Sequence, residues 1–321
     1  MTVYFNFYTK RFWHFSRCVD KNGESCFFAL PAPGETDTKS FKFQPLFSHV
    51  KRLRAVGEIV FVGLGLHDDK GISLRGLDEI SSADTVFVEL YTSLLPGFSL
   101  ERLQENSSKM INLVSRTELE EGNGQTILTP AGNHKVVLLV PGDPFIATTH
   151  ISLRIEAEKR GIKTRIVHGA SVVSAVIGLS GLHNYKFGKS VTIPFPDETP
   201  SETPYSVISQ NRKLGLHTLC LLDTKAENNR FLNIHDALAE LFRVEEKHRK
   251  MIITGETLAV GVARAGSDDP TVKAGFLRDI LDYDFGKPPY SLILPGDLHF
   301  MEAEALTVLA GAPERLRAGS K

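Results

Sequence analysis

Four short segments gather residue types able to hold a small polar ligand: Gly63-Leu64-Gly65-Leu66, Pro141-Gly142-Asp143-Pro144-Phe145, His168-Gly169-Ala170-Ser171 and Leu222-Asp223. Each follows a short apolar run, and in open α/β sheets ligands collect beyond the carboxyl ends of the strands. The first segment is a glycine turn, where a bare backbone can bend tightly and approach a cofactor closely. In the second, two prolines and a glycine hold the chain around Asp143. That carboxylate either faces a ligand or caps its own turn. Ser171 opens an apolar helical pattern, and the first N–H groups of a helix are free to meet a carboxylate or a ring nitrogen.

The glycine turn also excludes two phosphate chemistries. A dinucleotide fingerprint requires a third glycine three residues after Gly65, and Asp68 stands there. A P-loop requires donors at the helix start, and His67-Asp68-Asp69 is acidic instead. A small, flat ligand suits the turn better. Cys18, Cys26 and Cys220 are too few and too scattered for a disulfide framework or a zinc site, so no metal is expected and a reducing compartment is the default.

Such loops need elements to hold them. Strands are expected at 59–62, 86–90, 110–114, 136–140 and 164–167, alternating with helices at 74–82, 100–106 and 151–159. The last of these alternates like a strand, yet Glu156 lies four residues before Arg160 and Gly161 stops the segment, which favours a helix. This alternation predicts an open parallel α/β sheet. A second series follows: a buried helix at 171–179, strands at 191–195 and 217–222, and a proline-rich stretch from Pro194 to Pro204. A charged helix at 233–248, strands at 258–263 and 291–294 and a closing helix at 301–310 complete it. The expected division is a leader without fold at 1–55, an N-terminal α/β domain at 56–168, a C-terminal α/β domain at 169–313 and a tail at 314–321.

The 321 residues carry a net charge of −1, with 42% hydrophobic and 23% charged residues, an ordinary globular composition. That balance gives no reason to expect nucleic acid or an anionic membrane as partner. No apolar run approaches the roughly 20 residues of a membrane span. In the leader, Tyr4, Phe5, Phe7, Tyr8, Phe12, Trp13 and Phe15 are interleaved with Lys10, Arg11 and Arg17. Those charges prevent a secretory h-region, and the pattern fits a mitochondrial presequence poorly.

Read in order, VGLGL with its acidic turn and SLRGL, VELYTSLL, GDPFIATTH, HGASVVSAV, YKFGKSVTIPF, HTLCLLDTK and GVARAGSDD resemble the diphthine synthases, from about Val56 to Pro313. These are S-adenosylmethionine-dependent methyltransferases of diphthamide biosynthesis. The resemblance implies two α/β domains of tetrapyrrole-methylase type with S-adenosylmethionine in the cleft between them. It further implies a cytoplasmic homodimer whose protein substrate is translation elongation factor 2, methylated on a modified histidine, the diphthine intermediate. Carried over position by position, it implies cofactor contacts at Leu66, Asp143, Ile146, Ser171, Val172, Leu222, Ala265 and Tyr290. It assigns no catalytic side chain. His150 is the candidate general base if there is one, its alternative role being to tie the TTH loop to the domain below. Ile146 departs from a usually small position, and Tyr290 stands where many members have histidine. Two competing readings stay open: a tetrapyrrole (porphyrin or corrin) methyltransferase of the same architecture, and a non-catalytic relative that binds elongation factor 2.

Overall fold

The computed structural model describes residues 14–19, 25–30 and 57–318. The chain divides into two units, Met1–Arg52 and Leu53–Lys321. In the first, β1 (His14–Val19) pairs antiparallel with β2 (Ser25–Leu30). The remainder of the expected unfolded leader lies outside the described residues, as do the last three residues of the tail.

The second unit holds two five-stranded sheets. β3 (Glu58–Gly63), β4 (Thr85–Val88), β5 (Ile111–Leu113), β6 (Lys135–Val140) and β7 (Lys163–Val167) form an all-parallel sheet in the order β5-β4-β6-β3-β7. Its inner strands are apolar on both faces because both faces are covered. Val60 and Val62 meet Ile80 of α1 (Leu74–Ser81) and Leu103 of α2 (Leu100–Ser107). Ile59 and Phe61 meet Ile127 and Leu128 of α3 (Gln125–Ala131) and Leu153 of α4 (Ile151–Lys159). The segment whose pattern alternates like a strand is therefore a helix, stopped at Gly161 with φ +73°.

The other sheet runs β13-β12-β14-β9-β8 and is mixed; only β8 (Val191–Ile193) and β9 (Thr218–Leu222) are parallel. Around them, α5 (Val172–Ser180) precedes β8, and α6 (Thr203–Lys213) lies between β8 and β9. A small ribbon follows, β10 (Thr224–Lys225) with β11 (Arg230–Phe231), and then α7 (Ile234–His248). β12 (Leu258–Ala263), β13 (Thr271–Phe276), α8 (Leu277–Ile280), β14 (Tyr290–Leu294), α9 (Phe300–Ala310) and α10 (Arg315–Ala318) end the described chain. α6 and α7 cover one face through Ile208, Leu238 and Leu241, and α5 and α9 cover the other through Val176 and Leu306.

Three of the differences from the expected elements have a direct physical cause. β8 ends at Ile193 because Pro194 has no N–H for a ladder. Part of the proline-rich stretch is helical: Pro204 falls in the first turn of α6, where its missing donor costs nothing. β13 is an addition to the expected strands, since Lys273 and Gly275 interrupt its apolar pattern; it survives as an edge strand paired with β12 alone. Among the described residues no helix is long and apolar enough to cross a membrane.

Candidate active site

All five parallel strands send their carboxyl-terminal loops to one cavity of about 270 Å³. Gly65 and Leu66 follow β3, Thr92, Ser93 and Leu95 follow β4, and Arg116 and Glu120 follow β5. Pro141, Gly142, Asp143 and Ile146 to Thr149 line it after β6, with Ser171 and Val172 after β7. Opposite stand Thr192, Leu221, Leu222, Asp223, Thr224, Val262, Ala265, Gly266 and Tyr290, from the mixed sheet. Each of Leu66, Asp143, Ile146, Ser171, Val172, Leu222, Ala265 and Tyr290 is thus on this wall.

The glycine turn and the PGDPF loop are joined by backbone. Gly65 N–H donates to the Gly142 carbonyl at 3.2 Å, and Gly142 N–H donates to the Gly65 carbonyl at 2.7 Å. With φ +79°, Gly65 occupies a conformation that other residues rarely adopt. At Gly63 the close approach comes from the chain itself rather than from a ligand: a Cβ there would lie 2.5 Å from Gly142 O and 2.6 Å from Gly169 N. Ala147, also on the wall, holds φ +57°, a conformation uncommon for a residue with a Cβ.

Asp143 is buried and performs two structural tasks. Its Oδ1 accepts from Phe145 N–H at 3.1 Å, the expected turn cap, and its Oδ2 lies 2.7 Å from His168 Nδ1. A carboxylate has further lone pairs, so it can still accept from a ligand. Ser171 Oγ caps α5 by accepting from Val173 N–H at 3.2 Å. The Tyr290 hydroxyl donates to the Gly286 carbonyl, and partial burial raises its pKa against the pull of Arg264. His150 is buried with Nε2 3.2 Å from Glu89 Oε1, and it is not on the cavity wall. Glu89, fully buried, also accepts from the N–H groups of Tyr91 and Thr92 at 3.0 and 3.1 Å. His150 thereby steadies the strand end that presents Thr92, which is the tying role.

Residues 58–281 match the Tetrapyrrole (Corrin/Porphyrin) Methylases. The diphthine synthase of Methanocella arvoryzae is 47% identical over 254 residues, covering 79% of this chain and 98% of that protein. The diphthine synthase of Methanosarcina mazei is 46% identical over 264 residues, covering 80% and 98%. A crystal structure of diphthine synthase matches with TM-score 0.74 at 43% identity, covering 81% of this chain and 99% of that one. The chain belongs to the diphthine synthase family.

It is accordingly an S-adenosylmethionine-dependent methyltransferase in class, with the methylase fold. In diphthine synthase terms, the polar end of the cavity is what the sequence motifs leave unassigned. Thr92, Arg116, Glu120, Thr148 and Thr149 belong to it. The Arg116 guanidinium lies 4.7 Å from the centroid of the Tyr91 ring, and its Nε–H donates to Glu227 Oε1 at 2.9 Å, reaching from one sheet's loops to the other's. Thr224 Oγ1 donates to the Thr92 carbonyl at 3.4 Å across the same junction. The available signal is positional: β4 and β5 also end here, so their loops qualify by the same strand-end rule.

Proposed function

We propose that the cavity between the two sheets binds S-adenosylmethionine and that the chain methylates the modified histidine of translation elongation factor 2, the diphthine intermediate, acting as a cytoplasmic homodimer. The observation that carries this reading is convergence: eight positions, scattered from Leu66 to Tyr290, line one cavity in a chain similar to diphthine synthases over nearly their whole length. The wall suits the cofactor. Leu66, Val172, Leu221, Leu222, Val262 and Ala265 offer apolar surface for a flat base, while Asp143, the start of α5 and Tyr290 offer the few polar groups that orient a ligand. The volume, about 270 Å³, falls just below the usual span of small-molecule sites, roughly 300–1,000 Å³.

When bound, S-adenosylmethionine supplies a methyl group on a positively charged sulfur. The chain's own part is to orient the reactants and keep water out of the cleft. No general base is required of it, because an α-amino group with a pKa of ~7.7–8 is partly neutral at pH 7. Support for the dimer comes from α5 and α9, both apolar on nearly every side, with Phe300, Met301, Val308 and Leu309 of α9 left exposed.

Incubating the purified chain with methyl-labelled S-adenosylmethionine and elongation factor 2 that carries the unmethylated aminocarboxypropyl-histidine tests the reading. Label is expected in the elongation factor and not in a porphyrin or corrin acceptor. Label in the tetrapyrrole alone would replace this function with the competing one, and binding of the factor without transfer would mark a non-catalytic relative.

A further inference from the structure

We infer that Arg116 is an acceptor-binding residue: its guanidinium seats a carboxylate of the methyl acceptor at the polar end of the cavity. The inference rests on the methyl-transfer reading above and extends it to the residue that selects the acceptor.

Charge on the wall is uneven. Among the described residues lining the cavity, Arg116 is the one cation, beside the carboxylates of Glu120, Asp143 and Asp223. The carboxylates have partners from the chain itself. Asp143 serves Phe145 N–H and His168, and Asp223 accepts from Thr224 N–H at 2.9 Å and from Phe195 N–H at 3.4 Å. Glu120 accepts from Thr149 Oγ1 at 2.9 Å.

Arg116 is less fully used. A guanidinium has five N–H donors in a fixed fork, and among the described residues only Nε–H is hydrogen-bonded, to Glu227. Its Nη1 is 3.8 Å from Glu120 Oε1, an ion pair beyond hydrogen-bond reach. The Tyr91 ring under the guanidinium and the Glu227 carboxylate at Nε together hold the fork in place. A pre-oriented guanidinium with free terminal N–H groups matches a carboxylate in bidentate fashion, which a lysine would not. The side chain is 40% exposed, at the mouth rather than among the apolar walls, which favours the incoming acceptor over the amino-acid tail of the cofactor.

The test compares the wild-type chain with Arg116→Ala and Arg116→Lys, titrating elongation factor 2 bearing the unmethylated aminocarboxypropyl-histidine and, separately, S-adenosylmethionine by calorimetry. For Arg116→Ala the acceptor KM should rise roughly ten- to hundredfold, as expected for lost charge-assisted hydrogen bonds. The kcat and the S-adenosylmethionine affinity should stay near wild type, which also shows that the variant is folded. Arg116→Lys should fall between, and added guanidinium ion should restore part of the lost KM in Arg116→Ala, as a merely structural role would not. An unchanged acceptor KM overturns the inference. So does a tenfold loss of S-adenosylmethionine affinity, which would assign the guanidinium to the cofactor. A wild-type chain that labels no acceptor would overturn the methyl-transfer reading itself, whereas a labelling wild type with indifferent variants overturns this inference alone.

Discussion

Glu302 and Glu89 show how buried carboxylates organise this molecule from within. Fully buried, Glu302 accepts from His217 Nε2 at 2.9 Å, Lys186 Nζ at 2.7 Å, and the N–H groups of His183 and His299 at 2.8 and 2.9 Å. Burial alone would raise its pKa, but these donors hold it down to about 2. Glu302→Ala leaves the donors buried without their acceptor, so a loss of about 3–5 kcal/mol is expected in urea unfolding. The pH sign follows from the same donors. The folded pKa lies below the ordinary 4.5, so the unfolded chain takes up the proton first. This contribution is complete above about pH 4.5 and is lost as pH falls toward about 2, a loss that Glu302→Ala should abolish. His217 adds an earlier one: burial lowers its pKa from 6.5, so acid below that value also favours the unfolded chain. Little of this is legible in the sequence. Asp143 stands out because prolines and a glycine frame it locally, whereas Glu89, Arg116 and Glu302 acquire their partners only through tertiary contact.

Helices and strands are most legible where local pattern and burial agree. β3 and β6 read as inner strands because they are apolar on both faces, and α1 falls where a helix is expected, capped in the structure by Ser73, whose Oγ accepts from Gly76 N–H at 3.1 Å. β13 and the start of α6 are not legible, since an edge strand tolerates Lys273 and a first helical turn tolerates Pro204. α9 matches the expected closing helix, but its sequence is apolar beyond the face it buries. Its buried side supplies Ala303, Leu306 and Ala310, and Val308 and Leu309 point away from that core. If that second face meets a copy of itself, Leu309→Glu should convert a dimer into a monomer in sedimentation at micromolar concentration. A wild-type chain that sediments as a monomer would refute the dimer.

At the scale of the whole molecule, the site exists because two sheets with different strand patterns face one another across a set of loops. The parallel sheet is readable from the alternation of strands and helices, and the ends of its apolar runs mark three of the loops. Beyond Leu222-Asp223 at the end of β9, the opposing wall is not readable that way: β12 and β14 are antiparallel neighbours that bring Ala265 and Tyr290 to the cavity from opposite strand ends. Their place comes from resemblance to the diphthine synthases, not from periodicity. The contact between walls is tight, as a Cβ on Gly266 would lie 2.3 Å from Cβ of Leu66. Bulk added beside it should therefore fill the cleft rather than be absorbed. Calorimetric titration of S-adenosylmethionine into the wild-type chain and into Ala265→Phe tests this directly, with circular dichroism to show that both are folded. One cofactor per chain should bind the wild type and none the variant; equal binding by both, or no binding by the wild type, would contradict a cofactor site between the sheets.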